Sequence, residues 1–202
     1  MPTTIDYYLA PQSPWTYLGH ERFMRIAAEA GATVRVLPVD LGGKVFPVSG
    51  GLPLAKRPPQ RQAYRLVELA HWRDFLGLPL NVKPRYFPVP GDDAARLIIA
   101  VDQADGTAAA MRLTGALLKA VWAQERDIAS SATRIELLAE CGLPAQRADE
   151  AGAPEVQGTY ERYSQQAIAA NIFGAPSYCV DGEIFWGQDR LDFLQRRLAA
   201  RA

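Results

Sequence analysis

A serine stands where the first strand-like segment gives way to the first helix-like segment. Ser13 is a good N-cap residue, and Pro14 then occupies the first helical position, where its missing N–H is not needed. The free N–H groups and the dipole of a helix N-terminus favour an anion. A hydroxyl at this place can donate a hydrogen bond to a bound thiolate. The alternative is that Ser13 only caps the helix.

A proline precedes a strand-like segment near the other end of the chain. The bond between Ala175 and Pro176 is of the X-Pro type, for which the cis form is far less unfavourable than elsewhere. A cis bond just before an edge strand leaves the N–H and C=O groups of Ala175 free to pair with an extended peptide. The alternative is an ordinary turn leading into the strand that starts at Ser177.

The third candidate segment, Trp186 to Arg190, stands at the start of the last predicted helix. Unpaired N–H groups at a helix start can hold a carboxylate, and the side chain of Asp189 can hold an ammonium group. The alternative is a plain helix cap with a surface ion pair.

These three segments lie in the outer parts of the chain, which predict a strand–helix–strand unit at the start and a hairpin and a helix at the end. The predicted strands are 5–9, 33–39, 177–180 and 183–186, and the predicted helices are 14–30 and 188–200. A strand–helix–strand unit of this size predicts a parallel pair with a right-handed crossover. Asp181-Gly182 is a hairpin turn signal.

The middle of the chain predicts a long loop followed by helices. Residues 41–59 are broken by glycine and proline, and long loops in compact domains are usually functional or mobile. Helices are predicted over about 61–76, 92–105, 108–124, 131–141 and 154–170, with Asp92 as one N-cap and Ser130 or Ser131 as another. The fold class is therefore α/β: a thioredoxin-like β-α-β…β-β-α sheet domain, 1–40 plus 172–202, with an inserted loop and all-helical domain, 41–171.

The composition excludes several classes of protein. Lysine and arginine total 22 and so do aspartate and glutamate, a balance that argues against a general nucleic-acid binder. We expect no membrane span, because no run approaches about 18 apolar residues, and no secretory signal. Cys141 and Cys179 form no metal-binding motif with the histidines. We therefore expect no metal and a reduced, cytoplasmic location.

Read together, the two ends of the chain resemble 2-hydroxychromene-2-carboxylate isomerases. The resemblance is carried by residues 6–9 and 13–18 at the start and by residues 173–176, 180–182 and 185–191 at the end. Pro58-Pro59, Arg61, Tyr64, Trp72 and 77–80 match more loosely between them. That family is related to kappa-class glutathione transferases and to the disulfide oxidoreductase DsbA, which are all thioredoxin folds with inserted helices.

The resemblance implies glutathione as the cofactor. Where the oxidoreductases have Cys-X-X-Cys, this chain has Ser13-Pro14-Trp15-Thr16, so dithiol–disulfide chemistry at this turn is excluded. Ser13 is then expected to hold the pKa of the glutathione thiol below the free cysteine value of about 8.5. The residues implied to bind glutathione are Ser13, Arg61, Ala175, Pro176, Trp186, Gly187, Gln188, Asp189 and Arg190.

The resemblance also implies a reaction and a substrate. The family opens a hydroxychromene ring and turns over a side-chain double bond, giving a trans-o-hydroxybenzylidenepyruvate, in aromatic-compound catabolism. Phe46, Lys56 and Tyr86 lie where the family holds this small aromatic carboxylate, with Lys56 suited to the carboxylate and Tyr86 to the ring. Relatives are commonly homodimers.

Two positions depart from the family. Gly50-Gly51 stands where many relatives have asparagine, and Arg61 stands where many have lysine, which changes the hydrogen-bond geometry. We therefore predict a glutathione-dependent isomerase, with Ser13 stabilising the thiolate for reversible conjugate addition. The alternatives are a kappa-class-like glutathione transferase or peroxidase, or a non-catalytic thioredoxin-like module that binds peptides beside Ala175-Pro176.

Overall fold

The protein is built on a mixed sheet with the strand order β2–β1–β3–β4. The computed structural model describes residues 3–200, and its strands are β1 (Thr4–Leu9), β2 (Thr33–Pro38), β3 (Ser177–Val180) and β4 (Glu183–Trp186). β1 and β2 are parallel, whereas β3 is antiparallel to both β1 and β4. The predicted strands and the parallel first pair are therefore confirmed.

Helices make up most of the remaining chain. They are α1 (Pro14–Glu29), α2 (Phe46–Ser49), α3 (Pro59–Leu76), α4 (Asp92–Asp105), α5 (Thr107–Trp122), α6 (Ser131–Glu140), α7 (Arg147–Glu150), α8 (Pro154–Ala169) and α9 (Leu191–Ala199). The helices predicted between residues 61 and 170 lie within two residues of α3, α4, α5, α6 and α8. No helix in the described range is both long and apolar enough to cross a membrane.

A two-residue turn connects β3 to β4. Asp181 and Gly182 have φ angles of 50° and 84°, and a type I′ turn requires positive φ at both positions. The hairpin pairs Ser177 with Trp186, and Ser177 also pairs with Tyr8 of β1. The end of β4 is therefore brought to the same edge of the sheet as the end of β1, where the predicted serine turn begins.

One hydrophobic core joins the sheet to the helices of the insertion. Tyr7 of β1 and Tyr178 of β3 stack with their ring centroids 5.3 Å apart, and Phe23 of α1 packs 4.6 Å from each. The same cluster continues into α4 and α5, where Leu97 and Trp122 are fully buried. This core contains residues from both sides of the predicted domain boundaries, which lie at 40/41 and 171/172. The division of the chain into two domains stays a prediction.

The segment 41–59 is not the continuous loop that its glycines and prolines predict. A π-helical turn at Leu41–Val45 leads into α2, and a 3₁₀ turn follows at Leu54–Lys56. The carboxylate of Asp40 accepts the Gly43 N–H at 2.7 Å, which begins the first of these turns. Helices this short contain too few residues to show a hydrophobic period, so the sequence pattern does not predict them. The four-residue α7 is not predicted for the same reason.

Three local predictions are wrong. Asp92 is the first residue of α4, and Gly91 is the N-cap. The negative charge of Asp92 in the first turn still complements the helix dipole. α9 begins at Leu191, because Gln188–Arg190 form a 3₁₀ turn. β3 lies inside the sheet and is not an edge strand, because β4 pairs with its outer side.

Candidate active site

The N-terminus of α1 follows the end of β1, and Ser13 caps it. The Ser13 Oγ accepts a hydrogen bond from the Thr16 N–H at 3.2 Å and donates one to the Ala175 carbonyl oxygen at 3.4 Å. The Ser13 N–H donates to the Ala10 carbonyl oxygen at 3.0 Å, which anchors the backbone as well. The predicted cap is therefore present, and the same hydroxyl reaches the second candidate segment.

Ala175 presents its backbone groups beside that hydroxyl. The Ala175–Pro176 peptide bond is cis. Ala175 is 7% exposed, and within residues 3–200 its N–H has no hydrogen-bond partner. A backbone N–H without a partner is uncommon in a residue as buried as this one. This one is suited to an acceptor that comes from outside the chain.

The third candidate segment joins the second through a backbone hydrogen bond. The Gly187 N–H donates to the Pro176 carbonyl oxygen at 2.9 Å, and Gly187 has a φ of 94°, a conformation that favours glycine. The indole of Trp186 lies against Gly174 and meets the Phe173 ring edge-on at a centroid distance of 4.8 Å. Trp186 remains 49% exposed and is available to a ligand.

Gln188 and Asp189 follow in the 3₁₀ turn but have different surroundings. Gln188 is buried, and its side-chain and backbone oxygens accept hydrogen bonds from the Arg22 guanidinium at 3.2 and 3.4 Å. Because Arg22 belongs to α1, it ties the helix capped by Ser13 to this turn. Asp189 forms an ion pair with the neighbouring Arg190 at the surface. The structure thus brings all three candidate segments together.

A second carboxylate lies near Asp189. Burial, together with the negative charge of Asp189, raises the pKa of Glu68, a residue of α3. Two carboxylates that repel each other favour a cation beside them, so this corner suits an ammonium group. Sequence reasoning missed Glu68, because nothing in the helix pattern separates it from an ordinary surface acid. Arg61 lies in the first turn of the same helix and is exposed.

The residues predicted to hold the substrate lie on separate pieces of the insertion. Phe46 begins α2 and is partly buried, whereas Lys56 ends the 3₁₀ turn and is exposed. Tyr86 is 37% exposed, and the guanidinium of Arg85 lies 5.3 Å from its ring centroid. Within the described chain, no hydrogen bond, ion pair or ring contact joins these three residues to Ser13 or to one another.

Two polar side chains each have a buried atom without a hydrogen-bond partner in the described residues. Gln12 immediately precedes Ser13, and its Oε1 is buried without a hydrogen bond in the described part of the chain. Arg65 of α3 is 8% exposed, and its Nη2 is likewise unpartnered there. Sequence reasoning missed both. A signal existed for Arg65, because helical spacing places it on the same face as the buried Leu69.

Within the part of the chain that the structure describes, no histidine forms a hydrogen bond with Ser13. In the described residues its hydrogen bonds go to backbone groups, and His20 is buried elsewhere. The two ring nitrogens of His20 are engaged by the Tyr7 hydroxyl at 3.1 Å and the Met111 carbonyl oxygen at 3.0 Å. The arrangement therefore suits the binding of an external anion at a helix N-terminus better than the activation of Ser13 as a nucleophile.

Comparisons with known proteins identify the family of the chain. The model of the DSBA-like thioredoxin domain matches residues 4–199. The chain is 28% identical over 200 residues to a 2-hydroxychromene-2-carboxylate isomerase of Sphingobium xenophagum, covering 98% of this chain and 99% of the relative. It is 23% identical to Glutathione S-transferase kappa 1 of Caenorhabditis elegans, covering 94% of this chain and 88% of that protein.

A solved structure of a 2-hydroxychromene-2-carboxylate isomerase has a TM-score of 0.79 at 22% identity and covers 98% of this chain and 95% of its own. The resemblance at the two ends of the sequence is therefore confirmed along nearly the whole chain, as is the α/β thioredoxin-like sheet with inserted helices. Because one family model spans both outer parts and the insertion between them, the chain belongs to the DSBA-like thioredoxin domain family.

Proposed function

We propose that this protein is a glutathione-dependent isomerase of aromatic-compound catabolism. Its substrate is a small aromatic carboxylate of the 2-hydroxychromene-2-carboxylate type, and its product is of the trans-o-hydroxybenzylidenepyruvate type. The main observation in support is that the Ser13 hydroxyl lies at the N-terminus of α1, beside Ala175, in a turn without cysteine. Such a turn stabilises a thiolate but does not supply one. The similarity to the 2-hydroxychromene-2-carboxylate isomerase of Sphingobium xenophagum supports isomerisation as the reaction.

The described residues suit three groups of glutathione. The unpartnered N–H of Ala175 suits a main-chain hydrogen bond to the cysteinyl part. Asp189 and Glu68 form an acidic corner that suits the ammonium of the γ-glutamyl part. Arg61 carries a positive charge that suits a carboxylate.

The remaining proposed ligands belong to the turn after β4 and its partner segment. Trp186, Gly187, Gln188 and Arg190 shape this turn, which is held by the hydrogen bond from Gly187 to the Pro176 carbonyl. The N–H groups at the start of such a turn suit the γ-glutamyl carboxylate.

Each part of the site then has a role in the reaction. When bound, glutathione would supply a thiolate for reversible addition to the side-chain double bond, so that it would not be consumed. The Ser13 hydroxyl and the N-terminus of α1 hold negative charge at the sulfur position. Lys56 meets the substrate carboxylate, Tyr86 packs on the ring, and Phe46 borders the same space.

An ultraviolet titration of protein-bound glutathione tests this function, because a thiolate absorbs where a thiol does not. We expect the bound thiol to have a pKa below about 8.5 and Ser13→Ala to raise it towards that value. Ser131→Ala, which removes an exposed hydroxyl at the start of α6, is the matched control and should change nothing. Absence of binding, or a thiol pKa that does not respond to Ser13→Ala, argues against a glutathione enzyme.

A kappa-class-like glutathione transferase or peroxidase is the second candidate, favoured by the likeness to the Caenorhabditis elegans enzyme. Both candidates need the thiolate at Ser13, so the products distinguish them. Isomerised substrate with an unchanged glutathione concentration supports the isomerase, and a stable conjugate or oxidised glutathione supports the alternative. A non-catalytic thioredoxin-like binding module follows if glutathione fails to bind at millimolar concentration.

We also propose that the protein is a cytoplasmic homodimer. One stripe of α3 exposes the large apolar side chains of Tyr64, Val67 and Phe75, and Phe75 is 79% exposed. An exposed apolar stripe of this kind is typical of an association surface. Cys141 and Cys179 are free thiols, which supports a reducing compartment.

A further inference from the structure

Arg65 is a buried arginine of the insertion, and no acidic side chain among residues 3–200 pairs with it. The Arg65 guanidinium carbon lies 5.0 Å from the centroid of the Phe87 ring and 5.6 Å from that of Trp122. Within residues 3–200 it forms no ion pair, and its buried Nη2 donates no hydrogen bond. An unpaired buried charge is unfavourable unless a counter-charge satisfies it. This guanidinium is therefore suited to an anion from outside the chain.

The positive charge around Arg65 is reinforced instead of neutralised. Burial, together with the charge of Arg57, lowers the pKa of Arg65 to about 10. Burial and the charge of Arg61 also lower the pKa of Arg57. The Nε of Arg57 donates to the Leu52 carbonyl oxygen at 2.9 Å, which fixes that cation at the surface of the insertion. The charge of Arg57 thus adds to that of Arg65, and an anion beside them would relieve the repulsion.

Arg65 also connects the two segments that we propose to hold the substrate. Arg57, whose charge acts on Arg65, directly follows Lys56 in sequence. Phe87, whose ring Arg65 covers, directly follows Tyr86. Arg65 thus interacts with the sequence neighbour of each candidate residue.

The segment that carries Phe87 continues to the serine turn. Gly91 lies against the side-chain amide of Gln12, the residue before Ser13. The Gln12 Oε1 is buried and unpartnered in the described part of the chain, so it is available to a donor group. An unsatisfied donor at Arg65 and an unsatisfied acceptor at Gln12 therefore flank the same stretch, residues 87–91.

We propose that Arg65, together with Lys56, binds the carboxylate of the aromatic substrate and fixes its orientation, while the partly exposed ring of Phe87 packs beside the arene. A planar guanidinium can form two parallel hydrogen bonds with a carboxylate, which a lysine cannot do. The exposed Lys56 attracts the anion, and Arg65 fixes its orientation. This role of Arg65 rests on the proposed function, because that function supplies the aromatic carboxylate.

Cinnamate and its neutral amide, cinnamamide, are matched probes that differ in charge at the carboxyl group. Calorimetric titration of the wild-type protein should give binding about tenfold or more tighter for cinnamate. Arg65→Gln should remove that preference, and Arg65→Lys, which keeps the charge without the planar fork, should reduce it. Arg25→Gln removes an exposed arginine of α1 as the matched control and should keep the preference intact.

Equal affinity of the wild-type protein for both probes overturns the role of Arg65, and so does an unchanged preference in Arg65→Gln. If Arg65→Gln does not fold, as judged by circular dichroism, Arg65→Lys decides. A reduced preference in that variant supports the role, and an unchanged preference overturns it.

A second pair of probes separates the source of the carboxylate. If Arg65 instead binds the glycyl carboxylate of glutathione, Arg65→Gln weakens glutathione binding but not the binding of its glycyl ethyl ester. The preference for cinnamate then persists, and the substrate role is overturned. A further outcome is that glutathione fails to bind while the preference for cinnamate still depends on Arg65. That result would overturn the proposed glutathione-dependent function but support the carboxylate site at Arg65.

Discussion

The Ser13 hydroxyl donates a hydrogen bond to the carbonyl oxygen of Ala175 across 162 residues of sequence. The donor–acceptor distance of 3.4 Å is long for an O–H···O bond, so the bond is weak. A charge-assisted bond from the same hydroxyl to a thiolate would be stronger. The serine can therefore exchange its protein acceptor for an anionic ligand at small cost, while its oxygen continues to accept the Thr16 N–H.

Removal of the Ser13 side chain should also weaken the fold. Ser13→Ala deletes the acceptor for the Thr16 N–H, and we expect the free energy of unfolding to fall by about 1 kcal/mol. Urea denaturation measures this change. Ser130→Ala is the control, because Ser130 is the N-cap of α6 but makes no capping hydrogen bond through its side chain. Equal losses in the two variants would show that the Ser13 cap does not stabilise α1.

Gly187 should not tolerate a side chain. Its φ of 94° is strained for other residues, and an added Cβ would collide with the Asp189 carboxylate. We expect Gly187→Ala to cost about 1 kcal/mol or more. Gly158→Ala, at an exposed position with open space in α8, should instead stabilise the protein by roughly 0.5–1 kcal/mol. Thermal unfolding of both variants should therefore give shifts of opposite sign.

The stability of the protein should decrease in mild acid because of His20. Burial lowers the pKa of His20 below its ordinary value of 6.5, so the unfolded chain takes up a proton at a higher pH than the folded one. The contribution of His20 is complete above about pH 6.5 and is lost as the pH falls towards the lowered folded value. Urea midpoints measured against pH should show this loss. His20→Gln should flatten the profile and the exposed His71→Gln should not; identical profiles would contradict the assignment.

Arg22 should affect the affinity for glutathione only by holding Gln188 in position. Its guanidinium holds the Gln188 oxygens and does not belong to the turn that we propose to contact the ligand. We expect Arg22→Met to raise the KM for glutathione about tenfold, with a smaller change in kcat, and Arg22→Lys to restore part of the affinity. Steady-state kinetics at varied glutathione give both constants. A fall in kcat alone, or the same effect in Arg25→Met, would rule out the positioning role.

Dimerisation should depend on the exposed stripe of α3. Phe75→Lys places a charge at its most exposed apolar residue, and we expect the dimer to dissociate at micromolar concentration. Light scattering coupled to gel filtration measures the mass. Phe193→Lys on α9, where Phe193 is 55% exposed, is the matched control and should stay dimeric. A monomeric wild-type protein, or dissociation by both variants, would contradict this interface.

The outer parts of the fold are predictable because their signals are local. The hairpin bounds follow from Asp181-Gly182, whose types match the positive φ angles that the turn needs. The start of α1 follows in the same way from Ser13-Pro14. The position of β3 inside the sheet is not local, because it depends on pairing with β1 and β4, and no short pattern encodes it.

The candidate site is predictable only where a motif marks it. The resemblance pointed to Ser13 and to Ala175, and the structure places the two side by side. It did not point to Arg65 or Glu68, because their importance lies in neighbours from other elements. Burial against Phe87 and Trp122 sets the environment of Arg65, and the charge of Asp189 sets that of Glu68.

The strand order has a consequence for how the protein is made. β1 ends at Leu9, but its partner β3 begins at Ser177, so a ribosome adds residues 10–176 before one edge of β1 can pair. Such distant pairing slows folding, and an unpaired edge invites contact with other chains. Holding the nascent chain on a chaperone until β3 emerges should therefore raise the yield of folded protein. A translation product released before Ala175 retains the serine but lacks the second half of its binding site.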